Sequence, residues 1–245
     1  MFFRRWWVPI SAGFCKFSSL GDCMKIEIQN IRKNYGKKQV LKDVSFAVEG
    51  GKCVGILGGN GCGKSTLLSI LAGVQAADGG AFLYEDKDLF TYPRHRAQLV
   101  GYVPQGTPLI EELTAKDNLS LWCSKEKMQQ ELQGGVFKLL GIDEFLKVPV
   151  FKMSGGMKKR LSIGCSIAHD PPILLLDEAM AALDISCKQK IFEYIEAHKQ
   201  RGGIVLLVTH DVMELDLCDE WYILKDGTVQ PFAYTGDTAE LVRSF

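Results

Sequence analysis

The stretch GGNGCGKST, residues 58–66, gathers four glycines, a lysine and two hydroxyl side chains into one loop. From Gly58 to Ser65 it fits the pattern G-x-x-x-x-G-K-[ST], in which glycines let the backbone turn sharply and aim successive N–H groups inward at an anion. Lys64 would meet the outer phosphates of a polyphosphate, and Ser65 would supply an oxygen to Mg²⁺. Asn60, Gly61, Cys62, Gly63 and Thr66 complete the nucleotide-binding loop. Its context agrees, since the apolar run Cys53–Leu57 reads as a strand and a helical pattern opens at Lys64, whose N-terminus adds partial positive charge. A glycine linker would carry neither the lysine and hydroxyl nor the flanking periods. These residues point to a nucleoside triphosphate. Cys62, between a helix N-terminus and Lys64, is expected to be alkylated readily, blocking nucleotide binding.

A second group lies in PPILLLDEA, where four apolar residues run directly into Asp177 and Glu178. Strands covered on both faces read as continuous apolar runs, and ligands of open α/β sheets sit at the strands' carboxyl ends. Asp177 would then hold Mg²⁺ through water, and Glu178 would orient or deprotonate the attacking water. Standing alone, the same pair would suit a solvated turn. A third stretch, FKMSGGMKKR at 151–160, has no obvious acid, base or nucleophile. Ser154 has the chemistry of a helix N-cap, and Gly155 and Gly156 would let backbone N–H groups approach an anion. Lys158, Lys159 and Arg160 fall in the first helical turn, where each cation opposes the helix dipole at a cost of up to about 1 kcal/mol. A phosphate from elsewhere would offset that cost; a solvated basic face is the equal alternative.

Together with their order, these motifs make the chain from Met24 onward resemble the ATP-binding subunit of an ABC (ATP-binding cassette) transporter. Met153–Met157, MSGGM, stands where the family has L-S-G-G-Q. The resemblance implies ATP and Mg²⁺ as cofactors, with further roles. Tyr35 would stack on adenine, Gln105 in YVPQ would sense Mg²⁺ and water, Asp184 in AALD would cross the dimer, and His210 in VTHD would act near the γ-phosphate. Glu178, His210, Gln105 and Lys64 are thus the expected catalytic set, and Ser65, Gln105 and Asp177 the Mg²⁺ set. Ser154, Gly155, Gly156 and Asp184 would touch a triphosphate held by a partner subunit, either a second copy or a related ATPase. Each match has a plainer reading taken singly: Tyr35 as a strand-end aromatic, Gln105 as a loop residue, His210 as a helix cap. Met157, Ala179 and Met180 depart from the family's glutamine, proline and threonine; binding should survive, with the effect falling on hydrolysis.

The elements that must position these groups follow from the rest of the chain. Its 245 residues, 47% hydrophobic and 24% charged, suit one globular unit with a sizeable core. Twenty-nine basic residues balance twenty-nine acidic ones, so no global field draws the chain to nucleic acid. The eight cysteines form no C-x-x-C pair, and several lie in apolar runs, favouring a reducing compartment without a metal site. No apolar run is long enough to span a bilayer. Residues 1–23 read as a mis-assigned start or a disordered leader, with Met24 as the natural first residue and MKIEIQNI as a half-buried first strand. Residues 24–245 are expected to form one α/β domain: a P-loop NTPase core with a mixed, mainly parallel sheet, an antiparallel β subdomain, and a helical subdomain inserted near 106–170. In the family that arm meets a separate transmembrane permease, which would place the protein on the cytoplasmic face of the membrane. Leu109, Ile110, Leu113 and Trp122 are available there, with a satellite core as their other use. The stretch after His210 is short for an added regulatory domain, which favours export. Competing readings are a soluble ABC-type ATPase acting on ribosome or DNA, and a P-loop kinase for a small molecule.

Overall fold

A computed structural model describes residues 24–181 and 183–234; the expectation for residues 1–23 lies outside the described residues. In chain order the strands are β1 (Lys25–Tyr35), β2 (Lys38–Glu49), β3 (Cys53–Leu57), β4 (Gly79–Tyr84), β5 (Lys87–Asp88), β6 (Val100–Val103), β7 (Ile173–Asp177), β8 (Ile204–Val208), β9 (Glu220–Lys225) and β10 (Thr228–Phe232). The helices are α1 (Lys64–Ala72), α2 (Pro93–Leu99), α3 (Ala115–Ser120), α4 (Lys125–Gly134), α5 (Val136–Leu139), α6 (Gly155–Ile167), α7 (Ile185–Gln200) and α8 (Val212–Leu215). The strands join in the order β5-β4-β1-β2-β10-β9-β3-β8-β7-β6. Strands β9, β3, β8, β7 and β6 run parallel, while β1, β2, β4 and β5 pair antiparallel. This is the mixed, mainly parallel sheet with an antiparallel β portion that the sequence predicts.

The parallel strands owe their place to apolar residues on both faces. Val54 and Ile56, Ile173 and Leu175, and Ile204 and Leu206 face one core with Leu67, Leu68 and Leu71 of α1. Their neighbours Cys53, Leu174, Leu176, Val205 and Leu207 face the other core with Leu161 and Ile163 of α6 and Ile191 and Ile195 of α7. A period of two applied to an unbroken apolar run therefore feeds two cores at once. Leu175, fully buried, would cost about 2–5 kcal/mol as alanine. β1 is more irregular. Ile26 and Ile28 point inward by alternation, but Ile31 is inward too, because a bulge at Asn30 (φ 51°) shifts the register by one residue.

Between β6 and β7 the chain is helical apart from loops and one isolated bridge, Thr114 to Pro149. Thr114 and Asp117 close a reciprocal capping box on α3, and Ser124 caps α4. Leu109 packs on the core, whereas Ile110 and Trp122 stay exposed. The satellite core thus takes only part of the apolar set.

Candidate nucleotide site

β3 delivers the chain into the 58–63 loop, and α1 leaves it. Gly58 has φ 147°, and a Cβ there would lie 2.4 Å from the Leu224 carbonyl oxygen on β9. Gly63 has φ 115°, and its Cβ would meet Val40 Cγ1 at 2.9 Å. Neither position admits another residue without strain. Gly63 caps α1 without a side-chain bond and the first turn holds no acid, so the opening N–H groups keep their positive character. Lys64 is buried, and its Nζ donates to the carbonyls of Gly58 at 2.7 Å and Gly59 at 3.0 Å. The ammonium is thereby held within the loop.

β7 ends beside it. Ser65 Oγ donates to Asp177 Oδ1 at 3.1 Å and the Tyr102 hydroxyl to Oδ2 at 3.4 Å. Burial pushes the Asp177 carboxyl above its usual range and the Glu178 charge adds to this, while the Ser65 and Tyr102 hydrogen bonds work against it. Ser65 and Asp177 are hard oxygen donors in contact, and Gln105 adds an amide oxygen, a set that fits Mg²⁺.

Glu178 follows with φ 47°, a left-handed backbone unusual for a glutamate, and its N–H donates to Val208 O on β8 at 2.9 Å. The bend comes where β7 ends. Gln105 Nε2, just beyond β6, donates to Glu178 Oε2 at 2.7 Å, and His210 Nε2, just beyond β8, lies 3.4 Å from Oε1. Asn60, Lys64, Ser65, Gln105, Glu178 and His210 line one cleft of about 530 Å³. Loop and acidic strand end are thus brought together with Gln105 and His210.

The other expected residues stand apart from this cleft. Tyr35 is half exposed, with its hydroxyl bonded to the Gln75 side chain and Lys33 Nζ 5.8 Å from its ring centre. Ser154 Oγ accepts from Met157 N at 3.2 Å and so caps α6, while the space beside Gly155 is open. Asp184 caps α7, accepting from Cys187 N at 2.8 Å. Both caps face solvent in their own chain.

The basic trio is not a freely solvated face, because each side chain has a partner within the chain. Lys158 Nζ pairs with Glu111 Oε1 at 2.9 Å, and Arg160 Nη1 donates to Leu140 O while lying over the Phe145 ring. Lys159 is 3% exposed, and its Nζ donates to the carbonyls of Pro104 at 2.8 Å and Gln105 at 3.1 Å. Tertiary carbonyls and a carboxylate outbid the helix dipole at each side chain. The departures from the family pattern are apolar packing: Ala179 and Met180 are buried and Met157 packs on the same core.

Two supports escaped sequence reasoning. Tyr102 hydroxyl reaches Asp177 because β6 pairs with β7, a neighbour relation that no local pattern carries. Lys188 Nζ of α7 binds Asp211 Oδ2 at 2.5 Å and stands 3.5 Å from Glu214 Oε1, fastening the turn next to His210.

Comparison with known proteins gives the same answer. The Nod factor export ATP-binding protein I of Sinorhizobium fredii is 34% identical over 207 residues, 82% of this chain and 60% of that protein. The sulfate/thiosulfate import ATP-binding protein CysA of Neisseria meningitidis serogroup A is 33% identical over 217 residues, 84% of this chain and 60% of that protein. The matched part thus spans about three fifths of these relatives' length. A solved structure of the ATP-binding subunit of an ABC transporter superposes with TM-score 0.80 at 26% identity, covering 89% of this chain and 98% of that one. A dimeric ATP-binding cassette in a post-hydrolysis state with ADP and phosphate superposes with TM-score 0.74 at 25% identity, covering 85% of this chain and 99% of that one. With residues 41–181 matching the family pattern described as ABC transporter, the chain belongs to the ABC transporter family.

Proposed function

We propose that the protein hydrolyses ATP as one of two subunits closed around two nucleotides, and that this drives substrate through a separate transmembrane permease. The observation that carries the reading is the meeting of Gln105, Glu178 and His210, from three strand ends, on the cleft of the phosphate loop.

The chemistry follows from the chain's own groups. The 58–63 backbone and Lys64 hold the phosphates and offset their charge. Ser65 and Asp177, with Gln105, would hold Mg²⁺, which supplies charge neutralisation across the phosphates. Glu178 takes a proton from the attacking water as it adds to the γ-phosphorus and the bond to ADP breaks, giving ADP and phosphate. The Gln105 amide orients the carboxylate through Oε2, and His210 faces Oε1. Tyr35, with a half-exposed ring at the end of β1, is the proposed adenine platform.

Ser154, Gly155, Gly156 and Asp184 do not line their own cleft, and Ser154 and Asp184 are exposed, which suits contact with the nucleotide of a partner subunit. The dimeric cassette among the structural relatives supports this arrangement. Among the described residues no helix is long and apolar enough to cross a membrane. That fits a subunit placed on the cytoplasmic face, with Ile110 and Trp122 exposed on the helical part for a permease. Proteins named for export recur among the relatives beside ones named for import, and export is the direction we favour.

The test is purification from gently solubilised membranes at native level, with ATP hydrolysis and mass-spectrometric identification of what comes with the protein. ATPase activity lost in Lys64→Ala, with a polytopic protein at near-equal amount, is the expected result. Association with ribosomes or DNA instead would leave an ATPase without transport, and a phosphorylated small molecule in place of free phosphate would make it a kinase.

A further inference from the structure

Lys159 is a buried cation that neither the phosphate loop nor the acidic strand end uses. Placing an ammonium at 3% exposure is costly unless its donors find acceptors, and here the carbonyls of Pro104 and Gln105 take two of the three. Those carbonyls belong to the residues leaving β6, and Gln105 is the residue whose amide binds Glu178 at 2.7 Å. Lys159 itself is the fifth residue of α6, just past the first turn of the helix that Ser154 caps. A second tie runs beside it: Lys158 pairs with Glu111, and Phe151 N and Val150 N donate to Glu111 O and Leu113 O, so the far end of the same loop is also bound to this region. The loop after β6 is fastened at both ends to the start of α6.

We propose that Lys159 is a positioning residue that ties the Ser154–Gly156 turn to Gln105, so that closure of this turn on a partner's nucleotide sets the alignment of Gln105 and Glu178 in its own cleft. The inference rests on the two-subunit reading above and deepens it, since it gives one protomer's two nucleotide contacts a common mechanical part. Its electrostatics agree: burial holds the Lys159 ammonium below the usual lysine range, while the charges of Asp177 and Glu178 act in the opposite direction.

The test is a double-mutant cycle on the full chain with Lys159→Met, which keeps the stem and removes the donors, and Gln105→Ala. Lys159→Met should lower kcat about tenfold, as expected for a misaligned reacting group, with KM for ATP within about twofold. Because Lys159 acts through Gln105, the double variant should hydrolyse ATP within about twofold of Gln105→Ala alone. If the two effects multiply, or if Lys159→Met retains the wild-type kcat, the tie is refuted while the ATPase reading stands. A wild-type chain that binds ATP without hydrolysing it would overturn that reading and this inference with it. Lys159→Gln, which keeps a neutral donor, is scored by the same cycle if the methionine variant does not fold.

Discussion

Replacing His198 by glutamine should remove an acid-sensitive part of this fold's stability, worth about 3 kcal/mol by the size of the histidine's displacement. His198 lies on α7 with no exposed surface, its Nε2 3.2 Å from Pro172 O, its ring stacked on Tyr194 at 6.2 Å between centres. Gly203 runs so close that a Cβ there would sit 2.1 Å from Nε2. Burial, with a smaller contribution from the Arg201 charge, pushes its pKa from 6.5 down to about 4. A depressed folded-state pKa means that the unfolded chain binds the proton more readily. The contribution is therefore complete above about pH 6.5 and is lost as pH falls towards 4. The site feels this directly: Pro172 O also accepts from Ile204 N at 2.9 Å, so His198 braces the starts of β7 and β8, whose far ends carry Asp177, Glu178 and His210. Thermal unfolding at pH 7.5 and at pH 4.5 would measure it. For a chain of this size wild type should lose about 5–10 °C more than His198→Gln between the two conditions. Other acid-sensitive groups, including His169, are common to both proteins and cancel in the comparison. Parallel losses in the two proteins would refute the reasoning.

Three further outcomes are expected. Glu178→Gln keeps the side chain's size but removes the base, so ATP hydrolysis should fall by about 10²–10⁴ while ATP assembles a lasting dimer in size-exclusion chromatography; a monomer under ATP would count against the two-subunit arrangement. Gly58→Ala meets the Leu224 carbonyl at 2.4 Å with φ 147° and should lose roughly 3 kcal/mol of stability together with nucleotide binding, read by denaturant unfolding and equilibrium ATP binding. Alkylation of Cys62, half-buried in the loop with Sγ 4.0 Å from Lys64 Nζ, should block nucleotide binding, and MgATP should protect it; unchanged inactivation in Cys62→Ala would place the reactive thiol elsewhere.

The candidate nucleotide cleft was legible in the sequence to different depths. Glycines 58, 61 and 63 all take positive φ, as the loop pattern requires, and Ser154 caps α6 as its residue type and position suggest. The apolar runs of β3, β7 and β8 are buried along their whole length, as unbroken Val, Ile and Leu runs predict. Elsewhere the local pattern misleads. Ile31 turns inward against strict alternation because of the Asn30 bulge, and Lys158, Lys159 and Arg160 read as a basic face although each has a tertiary partner. A charge run reports only charge; what it meets depends on segments 20 to 55 residues away in the chain.

What the sequence by itself determined is whatever a few consecutive residues can enforce: a glycine loop that turns sharply into a helix, a lysine and hydroxyl at its end, apolar strands that stop at an acidic pair, a serine that starts a helix. These depend on φ/ψ limits and hydrogen-bond spacing within a turn or two. The tertiary structure alone decided which strand ends are neighbours. Gln105 and Glu178 are 73 residues apart and come within 2.7 Å because β6 pairs with β7, and His210 joins them because β8 pairs with β7 on its other side. It also decided that Tyr35 bonds Gln75 and that Lys159 is buried under the Gln105 loop. The order of strands in a sheet is set by packing both faces of the whole chain at once, and that global balance is not written in any short stretch of residues.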